Sequence, residues 1–336
     1  MIDTPVYDPF EKMDFRFDRC MITGQPIDPK EDLVQLFPDW LIHKYHLQGK
    51  SLQLLSGSTV RYPDMKVPVC RAARDAGLNY MNRAVGDLLT AGFAGINWLK
   101  PGQLYHFLVY LYYGVLYYEI YESLRNKSLR NAFLTSEDFK AKFRVLHIIL
   151  QGAVRPVTYL NFDPGSMFIL QVHDYKSPEA AYNLKIGTNT LTISLRIGEV
   201  GVMAALLDNG TQSQFYQSYF ERFNGAILHP IQFDELYAKI SYKAWLMNSV
   251  FDYGIGFPDA EDPSIALSVR IPDEKKNESV FRDWEDQVYG TILQSYLVPF
   301  GFPADKIFDK SGKTITFIET PAGKLRTFDA DFTEIR

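Results

Sequence analysis

The sequence predicts an α+β protein: a small cysteine-bearing module, a helical segment, and a mixed, largely antiparallel sheet with helices. Three observations carry that reading. Cys20 and Cys70 lie in short turns on either side of Phe37-Pro38-Asp39-Trp40-Leu41, which opens a helix. Leu104, Phe107, Leu108, Leu111, Val115 and Tyr118 follow the spacing of one helix face. Beyond Gly152, apolar runs are broken by Gly187, Gly198 and Asn209-Gly210, as in strands joined by hairpins. The expected domains are a knuckle module at 1–90, a helical segment at 91–151 and an α+β domain at 152–336.

In chain order, the first sixteen residues read as an extended arm. Short β pieces are expected between Ser51 and Val69, around Gly57 and Pro63, and a short helix at Asn79–Leu89. Pro101-Gly102 opens the strong helix. Its run Leu104–Tyr118 falls short of the ~20 apolar residues a membrane span needs, contains His106 and ends at Glu119, so it is a core helix. Ser136 is a good cap for the next helix, with Phe139, Phe143 and Leu146 on one face. Strands are expected at Ser166–Tyr175, Tyr182–Ile186, Thr190–Ile197, Val200–Leu207 and Ala266–Ile271. Helices are expected at Gln212–Phe223, Phe233–Val250 and Ser279–Leu297. Lys306–Phe308 and Thr314–Glu319 read as a hairpin, with Lys324–Phe328 as a third strand.

With 336 residues the chain can bury a substantial core, and 46% hydrophobic against 22% charged residues is a globular balance. The net charge of −5 lacks the basic excess of a dedicated nucleic-acid binder. Local exceptions are Arg125, Lys127, Arg130, Lys140, Lys142 and Arg144, a candidate nucleic-acid contact interrupted by Glu137 and Asp138. Two cysteines make no disulfide framework, and the start of the chain has no apolar signal core. The expectation is a cytoplasmic protein without a membrane segment.

Each cysteine turn holds one thiol of a Cys-x-x-Cys pair. Thr23 stands where a partner of Cys20 would be, and Ala73 where a partner of Cys70 would be. A structural zinc takes four N or S ligands, so two thiols are half a site. One reading makes Cys20 and Cys70 small buried hydrophobes. The other recruits His43 and His46, at i, i+3 on the helix after Pro38, into a Cys20–His43–His46–Cys70 zinc site.

The run Cys20…Gly24, Phe37-Pro38-x-Trp40-Leu41 and Tyr62…Val67-Pro68-x-Cys70 resembles bacterial HNH endonuclease-like proteins, over about the first quarter of the chain. That resemblance implies two zinc knuckles around a metal-dependent nuclease core. It also implies that the chemistry has been lost. The catalytic histidine position falls on Gln35, the acidic position on Val34, the asparagine position on Arg74, and the missing zinc ligands on Thr23 and Ala73. Such a nuclease needs a base active near neutral pH and a metal to offset phosphate charge. An amide is no such base, and an arginine repels a cation. A shifted alignment returns Asp32 or Asp39 as a metal ligand.

Other motifs fall away. Ser311-Gly312-Lys313-Thr314 lacks the first glycine of a phosphate-binding loop and reads as a hairpin turn. Gly254-Ile255-Gly256 is no dinucleotide fingerprint. His147, His173 and His229 stand alone in apolar contexts. The functional expectation is a non-enzymatic protein on an inactivated HNH-like module, without a cofactor, working through a protein partner or self-association. The alternative is nucleic-acid binding or residual metal-dependent cleavage.

Overall fold

The computed structural model describes residues 6–11, 13, 15–125, 136–174, 180–248, 251–258, 262–303, 306–328 and 334–335. The chain is α+β and divides into two compact units, residues 1–162 with 251–270, and residues 163–250 with 271–336. The segments 1–90 and 91–151 therefore share one unit, and part of the second half returns to it.

In the first unit, β1 (Leu33–Gln35) leads through Pro38 into α1 (Asp39–Lys44). Proline suits this entry, because the first N–H groups of a helix have no partner inside it. The hairpin of β2 (Ser51–Gln53) and β3 (Thr59–Arg61) turns at Gly57, whose φ of +83° favours glycine. Next, β4 (Lys66–Pro68) pairs antiparallel with β1 and sets Gln35 opposite Lys66.

One helical run follows: α2 (Arg71–Ala73), a π turn at Arg74–Leu78, and α3 (Asn79–Thr90). The π turn lies where Gly77 passes the Ala153 carbonyl oxygen, with no room for a Cβ. Apolar on all sides, α4 (Pro101–Arg125) is buried from Leu104 to Tyr117 except at His106. The Tyr113 ring of α4 stacks at 4.5 Å on Phe143 of α5 (Glu137–Leu150). Ser136 caps α5 as expected, its hydroxyl accepting from the Phe139 N–H at 3.2 Å. Among the described residues no helix is long and apolar enough to cross a membrane.

The first unit ends with a three-stranded sheet that the sequence pattern only partly announces. Its middle strand, Ile265–Arg270, is the one expected near Ala266–Ile271. It runs parallel to β5 (Val157–Leu160) and antiparallel to Asp252–Gly256. Both neighbours alternate between half-buried and exposed positions, so neither has a distinct apolar face.

In the second unit, β6 (Ser166–Val172), β7 (Tyr182–Gly187), β8 (Thr192–Ile197) and β9 (Val200–Ala205) form the expected antiparallel core, in the order β6-β9-β8-β7. After the short helices α6 (Thr211–Phe215) and α7 (Gln217–Glu221), β10 (Ile227–Leu228) adds a parallel edge to β6. Phe168, Leu170 and Val172 then pack on Phe233, Leu236, Tyr237 and Ile240 of α8 (Pro230–Trp245).

Several boundaries differ from expectation. The helix foreseen at Gln212–Phe223 breaks at Tyr216 into α6 and α7. The helix foreseen from Phe233 starts at Pro230, because His229 and Gln232 form a capping box there. The helix foreseen at Ser279–Leu297 is only α9 (Asp286–Leu297). Residues before it are held extended by the end of α8: the Asn248 N–H donates to the Val280 carbonyl at 2.9 Å, and the Arg282 N–H to that of Leu246 at 2.9 Å. The C-terminal hairpin is reduced to bridges at Phe308–Thr314 and Glu319–Leu325. Its turn is Ser311-Gly312-Lys313, whose Ser311 and Lys313 N–H groups donate to the Asp309 carboxylate at 2.7 and 3.1 Å.

Candidate functional site

The three positions that the resemblance picks out meet at one place. Val34 and Gln35 on β1, and Arg74 on the π turn, line a pocket of about 370 Å³ with Phe37, Pro38, Asp39, Leu78, Asn79, Asn82 and Tyr110. The β1–β4 ladder presents Val34 and Gln35 from one side. The helical run presents Arg74, Leu78 and Asn82 from another, four residues apart. Arg74 is not free in the pocket: its Nη2 lies 2.9 Å from Asp32 Oδ1, with both side chains largely buried. Asp39 is exposed.

The pocket's polarity is unsatisfied. Gln35 Oε1, Asn82 Oδ1 and the Tyr110 hydroxyl are buried without a hydrogen-bond partner among the described residues. Tyr110 has no exposed surface, and burial pushes its hydroxyl above the usual tyrosine range. A desolvated, unpartnered hydroxyl costs about 1–3 kcal/mol. Tyr110→Phe is therefore expected to raise the stability of the ligand-free protein by about 1 kcal/mol in urea unfolding. A loss of that size instead means that the hydroxyl has a partner. Sequence reasoning missed Asn82 and Tyr110. The available signals were the four-residue spacing from Arg74 and a tyrosine amid the apolar run of α4.

The knuckle positions also converge. Cys70 Sγ reaches the turn that carries Cys20, 3.5 Å from Gln25 Oε1. Thr23 Oγ1 lies 3.6 Å from Cys70 Sγ, and the Ala73 N–H faces the same sulfur. Two thiols, a hydroxyl and a methyl group are not the donor set of a tetrahedral zinc.

The histidines do not repair it. The helix carrying His43 ends at Lys44, and His46 lies beyond it with a φ of +50°. His43 is exposed, with its Nδ1 3.2 Å from Gln48 Nε2. Among the described residues, no three His, Cys, Asp or Glu side chains are grouped to hold a metal ion. Among the described residues, Cys20 and Cys70 are not grouped with His43 or His46.

The basic cluster is neutralised where it is described. Arg125 faces Glu122 at 3.7 Å, Lys140 faces Glu137 at 2.8 Å, Lys142 faces Asp138 at 2.9 Å and Arg144 faces Asp8 at 2.6 Å. Carboxylates three and four residues away on the same helix take up most of the charge. Lys127 and Arg130 lie outside the described residues.

The isolated histidines have structural partners. His147 is fully buried, its Nε2 donating to the Met21 carbonyl at 2.8 Å, and burial lowers it to about 4. His173 Nε2 lies 2.9 Å from the Phe328 carbonyl, and His229 caps α8.

A second, smaller pocket of about 180 Å³ is lined by Ser56, Ser58, Tyr118, Glu119, Glu122 and Ser123, among others. Glu119 Oε1 accepts from the Leu55 N–H at 2.9 Å, yet burial still lifts its carboxyl to about 7. In sequence Glu119 marks the end of an apolar run; in the fold α4 continues past it to Arg125. No family model matches the chain, and no curated protein or solved structure shows significant similarity to it.

Proposed function

We infer that this chain is a non-enzymatic binding protein built on an inactivated HNH-like module, acting through a protein partner or a second copy of itself. The observation that carries this reading is the meeting of Val34, Gln35 and Arg74 in one pocket. Residues far apart in sequence gather as a reaction centre would, but they are an alkyl group, an amide and a cation. None accepts a proton from water near neutral pH. Of the two carboxylates that a shifted alignment would recruit, Asp32 is engaged by Arg74 and Asp39 lines the pocket from an exposed position. The binding role calls for no cofactor.

A chain rich in aromatics suits an interaction protein, and the first unit leaves Tyr80 and Trp98 67% and 81% exposed. Such side chains are enriched in protein interfaces. The nucleic-acid reading loses support from the ion pairs at Arg125, Lys140, Lys142 and Arg144. Two free, buried cysteines fit a cytoplasmic setting.

The test combines two measurements on the full chain. Plasmid DNA with Mg²⁺, Mn²⁺ or Zn²⁺ is expected to stay uncut, with no DNA binding at about 150 mM salt. Sedimentation across a hundredfold concentration range, alone and with partners captured by crosslinking, is expected to reveal association. DNA cleavage abolished by Asp32→Ala or Asp39→Ala overturns the reading.

A further inference from the structure

Two cysteines that are distant in sequence are brought together in the first unit, outside the pocket described above: Cys70 Sγ touches Thr23 and Gln25 of the turn that carries Cys20. Cys20 sits in a tight turn closed by the Gly24 N–H on its own carbonyl at 2.8 Å. Cys70 is the residue that precedes α2. The turns are tied together, since the Met21 N–H donates to the Pro68 carbonyl at 2.8 Å. Both cysteines are free and buried, Cys20 completely and Cys70 with 7% of its surface exposed. The surroundings of Cys70 Sγ are polar: Thr23 Oγ1 at 3.6 Å, Gln25 Oε1 at 3.5 Å, and the Ala73 N–H.

We propose that Cys20 and Cys70 form a peroxide-reactive pair that closes reversibly to an intramolecular disulfide. Cys70 is the attacking sulfur. Cys70 keeps some exposed surface where Cys20 has none, and the Cys20 thiol, then the Thr23 hydroxyl and the Ala73 N–H, favour its thiolate against the cost of burial. The hydrogen bond to Cys70, together with burial, keeps Cys20 in the thiol form. A thiolate next to a second thiol is the arrangement of a reactive and a resolving cysteine.

The electron balance is simple. The Cys70 thiolate attacks one oxygen of a hydroperoxide; the S–O bond forms as the O–O bond breaks, and the departing oxygen takes a proton to leave as alcohol or water. Cys70 is then a sulfenic acid. The Cys20 sulfur attacks it, the S–S bond forms, and the hydroxyl leaves as water with the Cys20 proton. Two electrons pass from the thiols to the peroxide. A small dithiol returns them by exchange through a mixed disulfide. The product staples the Cys20 turn to the start of the helical run that carries Arg74 and Asn82. Nothing here depends on the proposed binding role.

The test uses the reduced full chain and one molar equivalent of hydrogen peroxide, with an alkylating quench and peptide mass spectrometry. The expected product is a Cys20–Cys70 linked peptide pair lighter by two hydrogens, formed at least tenfold faster in the folded chain than in urea, and reopened by dithiothreitol. In Cys20→Ser, dimedone is expected to label Cys70. In Thr23→Val, which keeps both thiols, closure is expected to slow at least threefold. Closure no faster in the folded chain than in urea, disulfides only between chains, or zinc in the purified protein shielding both thiols each overturns the proposal.

Discussion

Gly77→Ala is expected to destabilise the first unit by about 3 kcal/mol, the upper range for forcing an extra methyl group into a packed site. A Cβ at Gly77 would overlap the carbonyl oxygen of Ala153, which belongs to the backbone and has no rotamer to escape into. Relief requires moving the π turn or the segment at Gln151–Ala153, and the Val154 N–H anchors that segment to the Gln151 carbonyl at 3.0 Å. Since Arg74, Leu78 and Asn82 flank the turn, the same shift distorts the 370 Å³ pocket. Urea unfolding measures the loss. Gly102→Ala is the control: it has open space and a helical backbone, so it is expected to be neutral or to gain up to about 1 kcal/mol. Ala153→Gly in the Gly77→Ala background tests the cause. It removes a methyl group but leaves the offending oxygen, so it is expected to restore little; full recovery would mean that the clash lies with the side chain.

The same glycine shows why part of the site was not legible in the sequence. The resemblance read in the sequence points to Val34, Gln35 and Arg74, and all three line one pocket. Asn82 and Tyr110 are not marked in this way, because nothing local identifies a buried polar atom as unpartnered; only the meeting of α3, α4 and β1 around the pocket does so. His43 and His46 failed for a local reason: their i, i+3 spacing matters only if the helix continues, and it stops at Lys44. The fold divides along similar lines. β6 to β9 carry alternating or continuous apolar runs with glycine or asparagine turns, and they lie where the pattern puts them. Val157–Leu160 and Asp252–Gly256 are strands because a middle strand pairs with both, which is a long-range cause. The segment before α9 reads as helix but is drawn straight by the backbone groups at the end of α8.

Glu119→Gln is expected to make the protein more stable above neutral pH and to leave it unchanged in mild acid. Burial raises the Glu119 carboxyl from an ordinary 4.5 to about 7 in the folded chain. Between those values the folded chain keeps a proton that the unfolded chain has lost. The contribution of this group is therefore fully present below about pH 4.5 and declines as the pH rises through about 7. A displacement of that size corresponds to at most about 3 kcal/mol, less whatever water in the adjoining pocket recovers. Glutamine keeps an oxygen for the Leu55 N–H and cannot ionise, so the variant escapes the decline. The expected difference, variant minus wild type, is near zero at pH 4.5 and about 2 kcal/mol at pH 8. His147 pulls the other way. Burial lowers it from 6.5 to about 4, so its contribution is complete above about pH 6.5 and fades as the pH falls through about 4. The two slopes oppose each other between pH 4.5 and 6.5, and Glu119→Gln should expose the histidine slope as a steeper loss toward acid. A difference that stays flat from pH 4.5 to 8 would mean that Glu119 is already ionised in the fold, with water or a cation in the serine-lined pocket compensating its charge.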